Sequence, residues 1–260
     1  MRVKQEDIKN VKNYLKDKDK FYVLSQILRG TSPKVYSDLE NYIIGQSEED
    51  LPTWIWTIDN LSKEKLIELK NDLNNFIKNK ENKFTAKKEI YDYLVNEFNV
   101  SDYFEMGFLD CDEVIKPSKG KGIFVKPNYV DKVTLSEYWR DNMKELFNKK
   151  ISQKEALEEV EGWLEDKKTY VLKDAKGEIV SMAAYSVVDE YAKITHVFTP
   201  KEERGKGYCQ YLIYSLGKML LEEGYKLVLY TDYHYEASNA AYKKVGFKDE
   251  GILINFKINK

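Results

Sequence analysis

The chain has 260 residues, enough for two domains of ordinary size, and 42 basic against 44 acidic residues give a formal net charge of −2. That balance argues against nucleic acid or an anionic membrane as partner, and no apolar run reaches membrane-spanning length. Two cysteines, Cys111 and Cys209, and two histidines lie scattered, with neither metal-ligand spacing nor a disulfide framework.

Residues 1–7 are charged and carry no apolar core, so no signal peptide is read there and a cytoplasmic setting is expected. Ile8, Val11 and Leu15 form a helical stripe. The apolar stretch 21–28 fits helix or strand. Gly30 to Pro33 is a break, and 42–44 is strand-like. Residues 51–58 alternate and are rich in β-formers, which predicts a strand. Trp54 and Trp56 share one face of it. They make either an aromatic binding platform or a core face, and the core face is preferred because buried aromatics are so often packing. Leu66, Leu69, Leu73, Phe76 and Ile77 predict a helix capped by Ser62. Thr85 is expected to cap a second helix, and 103–115 to close with a strand or hairpin. No chemical constellation appears in 1–115. Pro117, Gly120 and Gly122 cluster between two patterned regions, so 116–122 reads as a linker. The expected domains are therefore 1–118 and 119–260.

The second half opens with a strand from 123. Thr134 with Glu137, and Ser152 with Glu155, read as capping boxes of two amphipathic helices. Strands follow at 169–173, 179–188 and 191–199, the first two joined by a hairpin at Asp174–Gly177. A long helix after Gly207 stops at Gly224. Residues 226–231 are nearly all apolar, the mark of a central strand. A short helix from about Ser238 ends at Gly246, and strands over 247–258 close the chain.

The chemistry concentrates between the strand at 191–199 and the helix after Gly207. Gly205 and Gly207 allow successive backbone N–H groups to converge, and the helix adds its unpaired N–H groups and positive dipole end. This is an anion cradle suited to phosphate. It fails the P-loop pattern, having no Ser or Thr after a lysine, and it fails the dinucleotide fingerprint, because Gln210 stands where the third glycine belongs. It satisfies Arg/Gln-x-x-Gly-x-Gly/Ala as Arg204-Gly-Lys-Gly207-Tyr-Cys209, with Cys in the last small position. Val197-Phe-Thr-Pro200 precedes it. Leu229-Tyr-Thr-Asp232 and Ser238-Asn-Ala-Ala-Tyr242-Lys-Lys-Val-Gly246-Phe247 follow.

On these motifs, residues 123–260 resemble the GNAT superfamily of acetyl-CoA-dependent N-acetyltransferases, most specifically over 194–247. The resemblance implies an α/β (or α+β) fold: a mixed, mostly antiparallel sheet with a splayed parallel pair and helices on both faces, preceded by a smaller α/β domain. It implies that the amides of Arg204, Gly205, Lys206, Gly207, Tyr208 and Cys209 hold the coenzyme pyrophosphate. The strand edge at Val197, Phe198 and Thr199 would bond the pantetheine arm, and Asn239 would contact the pantetheine or phosphate region. Tyr242 would protonate the leaving thiolate, and a backbone N–H near Phe198 would polarise the carbonyl. His196 is a candidate general base, Glu190 a second, and bulk water a third. Two departures stand out. Cys209 replaces Gly or Ala, and Tyr235-Glu236 stands where this branch commonly has Asn-Pro.

Acetyl-CoA is thus the expected co-substrate, with no metal. The acceptor is a small-molecule or peptide amine, its identity set by the loop at 148–152 and the late strands, and the protein is a monomer or homodimer. The alternative is a non-catalytic acyl-CoA-binding or sensing module. The first half follows the order strand, helix, missing strand, helix, strand of 191–258. This suggests a degenerate GNAT-like copy without a cradle, set against a helical accessory domain.

Overall fold

A computed structural model describes residues 2–8 and 11–260. The chain forms two compact units: Met1–Phe108 with Tyr230–Tyr235 and Glu250–Lys260, and Leu109–Leu229 with Glu236–Asp249. The boundary expected at 118/119 falls inside the second unit. The stretch read as a linker is packed: a Cβ at Gly122 would lie 2.7 Å from Lys173 O, and one at Gly120 would collide with Gly207 O. Its glycines serve close backbone approach, which in a bare sequence is indistinguishable from flexibility.

In the first unit, the helices α1 (Gln5–Ile8) and α2 (Tyr22–Ile27) precede strands β1 (Lys34–Ser37), β2 (Tyr42–Gln46) and β3 (Thr53–Thr57). The ambiguous stretch at 21–28 is helical and buries Tyr22, Leu24, Ser25 and Ile27. Strands β1, β2 and β3 pair antiparallel in turn. Trp54 and Trp56 are core. Trp56 is 0% exposed and donates Nε1–H to Asp17 Oδ2 at 2.8 Å, while Trp54 meets Phe21 edge-on. Helix α3 (Lys63–Leu73) is capped as expected, Ser62 Oγ accepting from Lys65 N. The strand that the sequence pattern lacked is present as β4 (Glu81–Ala86), parallel to β3. It escaped notice because exposed Glu81 and Lys83 alternate with buried Asn82 and Phe84, leaving little apolar signal. Thr85 belongs to this strand and donates to Asn255 Oδ1, so it caps nothing. Helix α4 (Lys88–Leu94) follows, and β5 (Asn99–Cys111) is one long strand.

The second unit comprises β6 (Ile123–Val125), α5 (Lys132–Phe147), α6 (Gln153–Asp166), β7 (Thr169–Lys173), β8 (Ile179–Val188), β9 (Tyr191–Phe198), α7 (Tyr208–Glu222), the start of β10 (Lys226–Asp232), α8 (Glu236–Val245) and the start of β11 (Lys248–Asn259). Strands β6 to β9 run antiparallel, and β9 pairs with β10 in parallel. The remainder of β11 lies in the first unit, antiparallel to β4. Strand order is β1-β2-β3-β4-β11-β5 in the first unit and β10-β9-β8-β7-β6 in the second. The capping box of α6 is as read, on Ser152 and Glu155. Thr134 and Glu137 instead lie inside α5. The box that opens this region is Asn128 with Asp131, on the short 3-10 turn before it.

Alternation along the strands sends side chains to two cores. Tyr170, Leu172, Ala192 and Ile194 pack against Leu212, Ile213, Leu216 and Leu220 of α7. Val171, Met182 and Phe198 pack against Leu135 of α5 and Val160 and Leu164 of α6. The fold is therefore α/β, a mixed and mostly antiparallel arrangement with helices on both faces of the second unit's strands.

Because Trp56 is fully buried and its indole N–H has a partner, Trp56→Ala is expected to cost about 3–5 kcal/mol of stability. Denaturant unfolding of the two proteins checks this, and a cost near zero would restore the binding-platform reading.

Candidate functional site

The site begins with a break in the pairing of β9. Toward β8, Met182 pairs with Phe198 and Ala184 with Thr195, so Ala183 faces both His196 and Val197. This is a β-bulge, and it requires a locally left-handed backbone: His196 has φ +51°. The extra residue reverses the alternation. Val197 turns toward the α7 core, and Phe198 joins the α5–α6 core. His196 packs between Trp139 of α5, edge-on at 5.0 Å, and Trp163 of α6, stacked at 5.3 Å. Without the bulge, strict alternation from Ile194 would direct His196 into the α7 core. On its other edge, β9 pairs with β10 only from Tyr191–Lys226 to Ile194–Leu229, though β9 runs on to Phe198. The expected parting of the parallel pair is therefore present, and the β9 edge beyond Ile194 is released from that ladder.

Burial lowers the His196 pKa below the usual 6.5, with the charge of Lys193 adding to the effect and Glu159 opposing it. Lys193, three residues earlier, is itself pushed down to about 8 by desolvation. Near neutral pH the imidazole is an uncharged ring with a lone pair. Trp163 donates Nε1–H to Glu159 Oε1 at 3.1 Å, which sets the indole against the imidazole. Trp163, Glu159 and Lys193 were not singled out from the sequence. The tryptophans resemble ordinary amphipathic-helix residues, and only the bulge brings His196 to them.

The cradle follows directly. Gly205 (φ +75°) and Gly207 (φ +88°) both need glycine's conformational freedom. Gly207 is the N-cap of α7 and offers no side-chain cap, so the helix's first N–H groups receive no side-chain bond from their N-cap residue. A Cβ at Gly205 would meet nothing within 4 Å. The cradle's own cations are engaged locally. Arg204 donates to Thr199 O at 2.9 Å and to Glu145 at 2.6 Å, and Lys206 pairs with Glu203 at 2.9 Å. Thr199 joins the strand end to the cradle: its hydroxyl lies 2.8 Å from Ser181 Oγ, and its side chain bonds Cys209.

Val197, Phe198, Thr199 and residues 204–209 thus form one continuous feature of the second unit. On α8, Asn239 is half-buried and Tyr242 is 7% exposed. Tyr242 packs in the α7 core with its ring 6.1 Å from Phe247. His196 and Tyr242 therefore belong to opposite faces of the strands. Glu190 is exposed in the β8–β9 turn, where its carbonyl accepts from Lys226 N. Among the described residues no group of three or more His, Cys, Asp or Glu stands together as a metal-ligand set.

A parted parallel pair, a bulge and a glycine cradle at a helix N-terminus agree with the comparison to known families. Residues 134–247 match the acetyltransferase (GNAT) family. They form a GNAT acetyltransferase domain. Members of this family use acetyl-CoA as co-substrate. In fold, the chain is similar to an acetyltransferase of the GNAT family from Colwellia psychrerythraea (11% identity, TM-score 0.64, 100% of this chain and 99% of that one). It is similar also to a tandem GNAT protein from the clavulanic acid biosynthesis pathway (10%, 0.58, 100% and 97%). A third is a GCN5-related N-acetyltransferase-like protein from Streptococcus suis 89/1591 (15%, 0.56, 99% and 100%). At these identities the likeness is one of fold. No curated protein gives a significant sequence match.

Both thiols of the chain are raised to about 11 by burial. At pH 8 they should react with Ellman's reagent about 10²-fold more slowly than an ordinary cysteine. Full reaction of both is expected only after denaturation, and rapid native labelling at Cys209 would contradict the desolvated setting beside Thr199.

Proposed function

We propose that the GNAT domain is an N-acetyltransferase that moves the acetyl group of acetyl-CoA to a primary amine. The observation that carries this reading is the end of the β9–β10 ladder at Ile194–Leu229, directly before the uncapped N-terminus of α7. A released strand edge offers backbone groups to the amide-bearing pantetheine arm, as an added strand would use them. The amides of residues 204–209 suit its pyrophosphate. Asn239, on the helix packed beside α7, is assigned to the same ligand. When bound, acetyl-CoA supplies an activated thioester carbonyl, and this chain supplies placement, polarisation and proton transfer.

His196 is the proposed base, because burial keeps it neutral and the bulge turns it toward α5 and α6. A neutral imidazole accepts a proton from an ammonium group, directly or through water. Tyr242 is the proposed acid for the thiolate, approaching from the α7 face. Acid and base then act from opposite sides of β9, with the backbone N–H near Phe198 polarising the carbonyl between them. The acceptor would meet the Trp139 and Trp163 rings on the His196 side.

The first unit is assigned the role of a degenerate GNAT-like half. Its β3–α3–β4 segment has the parallel pairing of β9–α7–β10. Yet Ser62 caps α3 with its own hydroxyl, so the place equivalent to the cradle is closed by a side chain. The two compact units are in this view related halves, the second alone binding coenzyme. The absence of a helix long and apolar enough to cross a membrane, among the described residues, is compatible with the cytoplasmic setting proposed for it.

Saturating acetyl-CoA should raise the Tm of the wild-type protein, and thiol release should appear with members of an amine panel. Tyr242→Phe should lower kcat by about 10²-fold or more with a near-constant KM for acetyl-CoA. Coenzyme binding without turnover across the panel would favour the acyl-CoA sensing module.

The pH profile tests the base. Protonated His196 accepts no proton, so kcat/KM should fall as pH drops, with its midpoint below the usual histidine value of 6.5. His196→Asn keeps a residue that tolerates positive φ and should abolish that limb along with most activity. Stability should follow the same sign. The unfolded histidine binds its proton more readily, so stability is full above 6.5 and declines toward the lower folded value. A rate profile unchanged by His196→Asn would assign deprotonation to bulk water.

A further inference from the structure

The stretch Lys116-Pro-Ser-Lys-Gly-Lys-Gly122 lies against the cradle. A Cβ at Gly207 would sit 2.9 Å from Lys119 Cβ and 3.1 Å from Gly120 N, and one at Gly120 would collide with Gly207 O and lie 2.7 Å from Tyr208 N. Two backbones meet there at a distance that only a pair of facing glycines allows. Gly120 also has φ +83°. The strap therefore reaches the first residue of α7 itself, and it covers the Gly207 side while the Gly205 side stays open.

Charge gives this contact a purpose. The cations of the cradle are already held: Arg204 and Lys201 by Glu145, and Lys206 by Glu203. Coenzyme A carries a pyrophosphate and a 3′-phosphate, more negative charge than the partial charge of one helix end neutralises. Lys116, Lys119 and Lys121 are exposed, and among the described residues none of the three is in an ion pair. They are three uncommitted cations on a segment whose backbone is fixed to the rim of the anion cradle.

We propose that the 116–122 strap is the second wall of the coenzyme site, seated by the Gly120–Gly207 contact, and that its lysines supply cationic charge to the phosphates of coenzyme A. This rests on the coenzyme reading above and adds to it residues outside the matched stretch 134–247. The strap acts on the nucleotide end only, so it should distinguish donors by their phosphates and ignore the acetyl end.

The test is calorimetric binding of coenzyme A and 3′-dephospho-coenzyme A, with turnover of S-acetylpantetheine, which lacks the nucleotide and its phosphates. The variants are K116S/K119S/K121S and Gly120→Ala, each checked by its melting curve. The triple variant should bind coenzyme A about tenfold more weakly with a flattened salt dependence, and turn over S-acetylpantetheine as wild type does. Gly120→Ala should displace the strap and weaken coenzyme A in the same sense. A smaller loss for the 3′-dephospho form would assign the lysines to the 3′-phosphate, and an equal loss to the pyrophosphate. Wild-type affinity for coenzyme A in either variant, or a matching loss with S-acetylpantetheine, would overturn the strap proposal while leaving the coenzyme site standing. No binding of coenzyme A by the wild-type protein would overturn both.

Discussion

Everything at the site depends on the extra residue that β9 inserts opposite Ala183. A sheet strand has a fixed period of two, so it cannot by itself direct both Ile194 and Val197, three residues apart, to the α7 core while His196 and Phe198 face α5 and α6. The bulge makes that possible at one position, at the cost of a positive φ on a side-chain-bearing residue. Histidine is among the few residue types that adopt this conformation with some frequency. The helices then hold the result in place: α5 and α6 each bring one tryptophan to the imidazole, and the hydrogen bond from Trp163 to Glu159 orients one of them. The sandwich also explains the electrostatics, because two indoles displace the water that would otherwise stabilise the imidazolium.

The bulge and the end of the parallel ladder occur within the same four residues. A strand that twisted smoothly would continue to pair with β10 beyond Ile194–Leu229. Inserting a residue increases local twist and bends the strand, and the ladder with β10 ends directly before the bulge. The same distortion therefore coincides with a redirected titratable side chain and a released backbone edge. The glycine turn that follows joins the end of the strand to the N-terminus of α7 within a few residues, with Thr199 bonded to both Ser181 and Cys209 to fix the junction.

Much of this was legible in the sequence because it is written in glycines and in residue spacing. The cradle, the stop at Gly224, the caps at Ser62 and Ser152, and the alternating strands of the second half all carry local signals. What was hidden is non-local. Strand β4 lacked an apolar pattern because its buried positions include Asn82 and Thr85, satisfied by hydrogen bonds to Asn79, Ile258 and Asn255 rather than by hydrophobic neighbours. The tryptophan partners of His196 depend on a register shift, which no window of the sequence displays. The strap was misread for a related reason. Gly120 is glycine because Gly207 faces it, and a contact between residues so far apart looks, in one dimension, like the composition of a linker.

Helices α3 and α7 begin in contrasting ways. Each follows a strand, and each lies between two strands that pair in parallel. In α3 the loop is short of glycine, Asn60 takes the positive φ at +55°, and Ser62 spends its hydroxyl on Lys65 N. The orphan N–H groups of that helix start are partly satisfied within the chain, which stabilises the unit and leaves less for an anion to bind. In α7 two glycines and an N-cap without a side chain leave the same kind of groups unserved. Stability and binding draw on the same few N–H groups, so a helix start built to serve one gives up the other. On this argument the second unit requires stabilisation from elsewhere around α7, and the close seating of Lys119 and Gly120 against Gly207 lies where that support is needed.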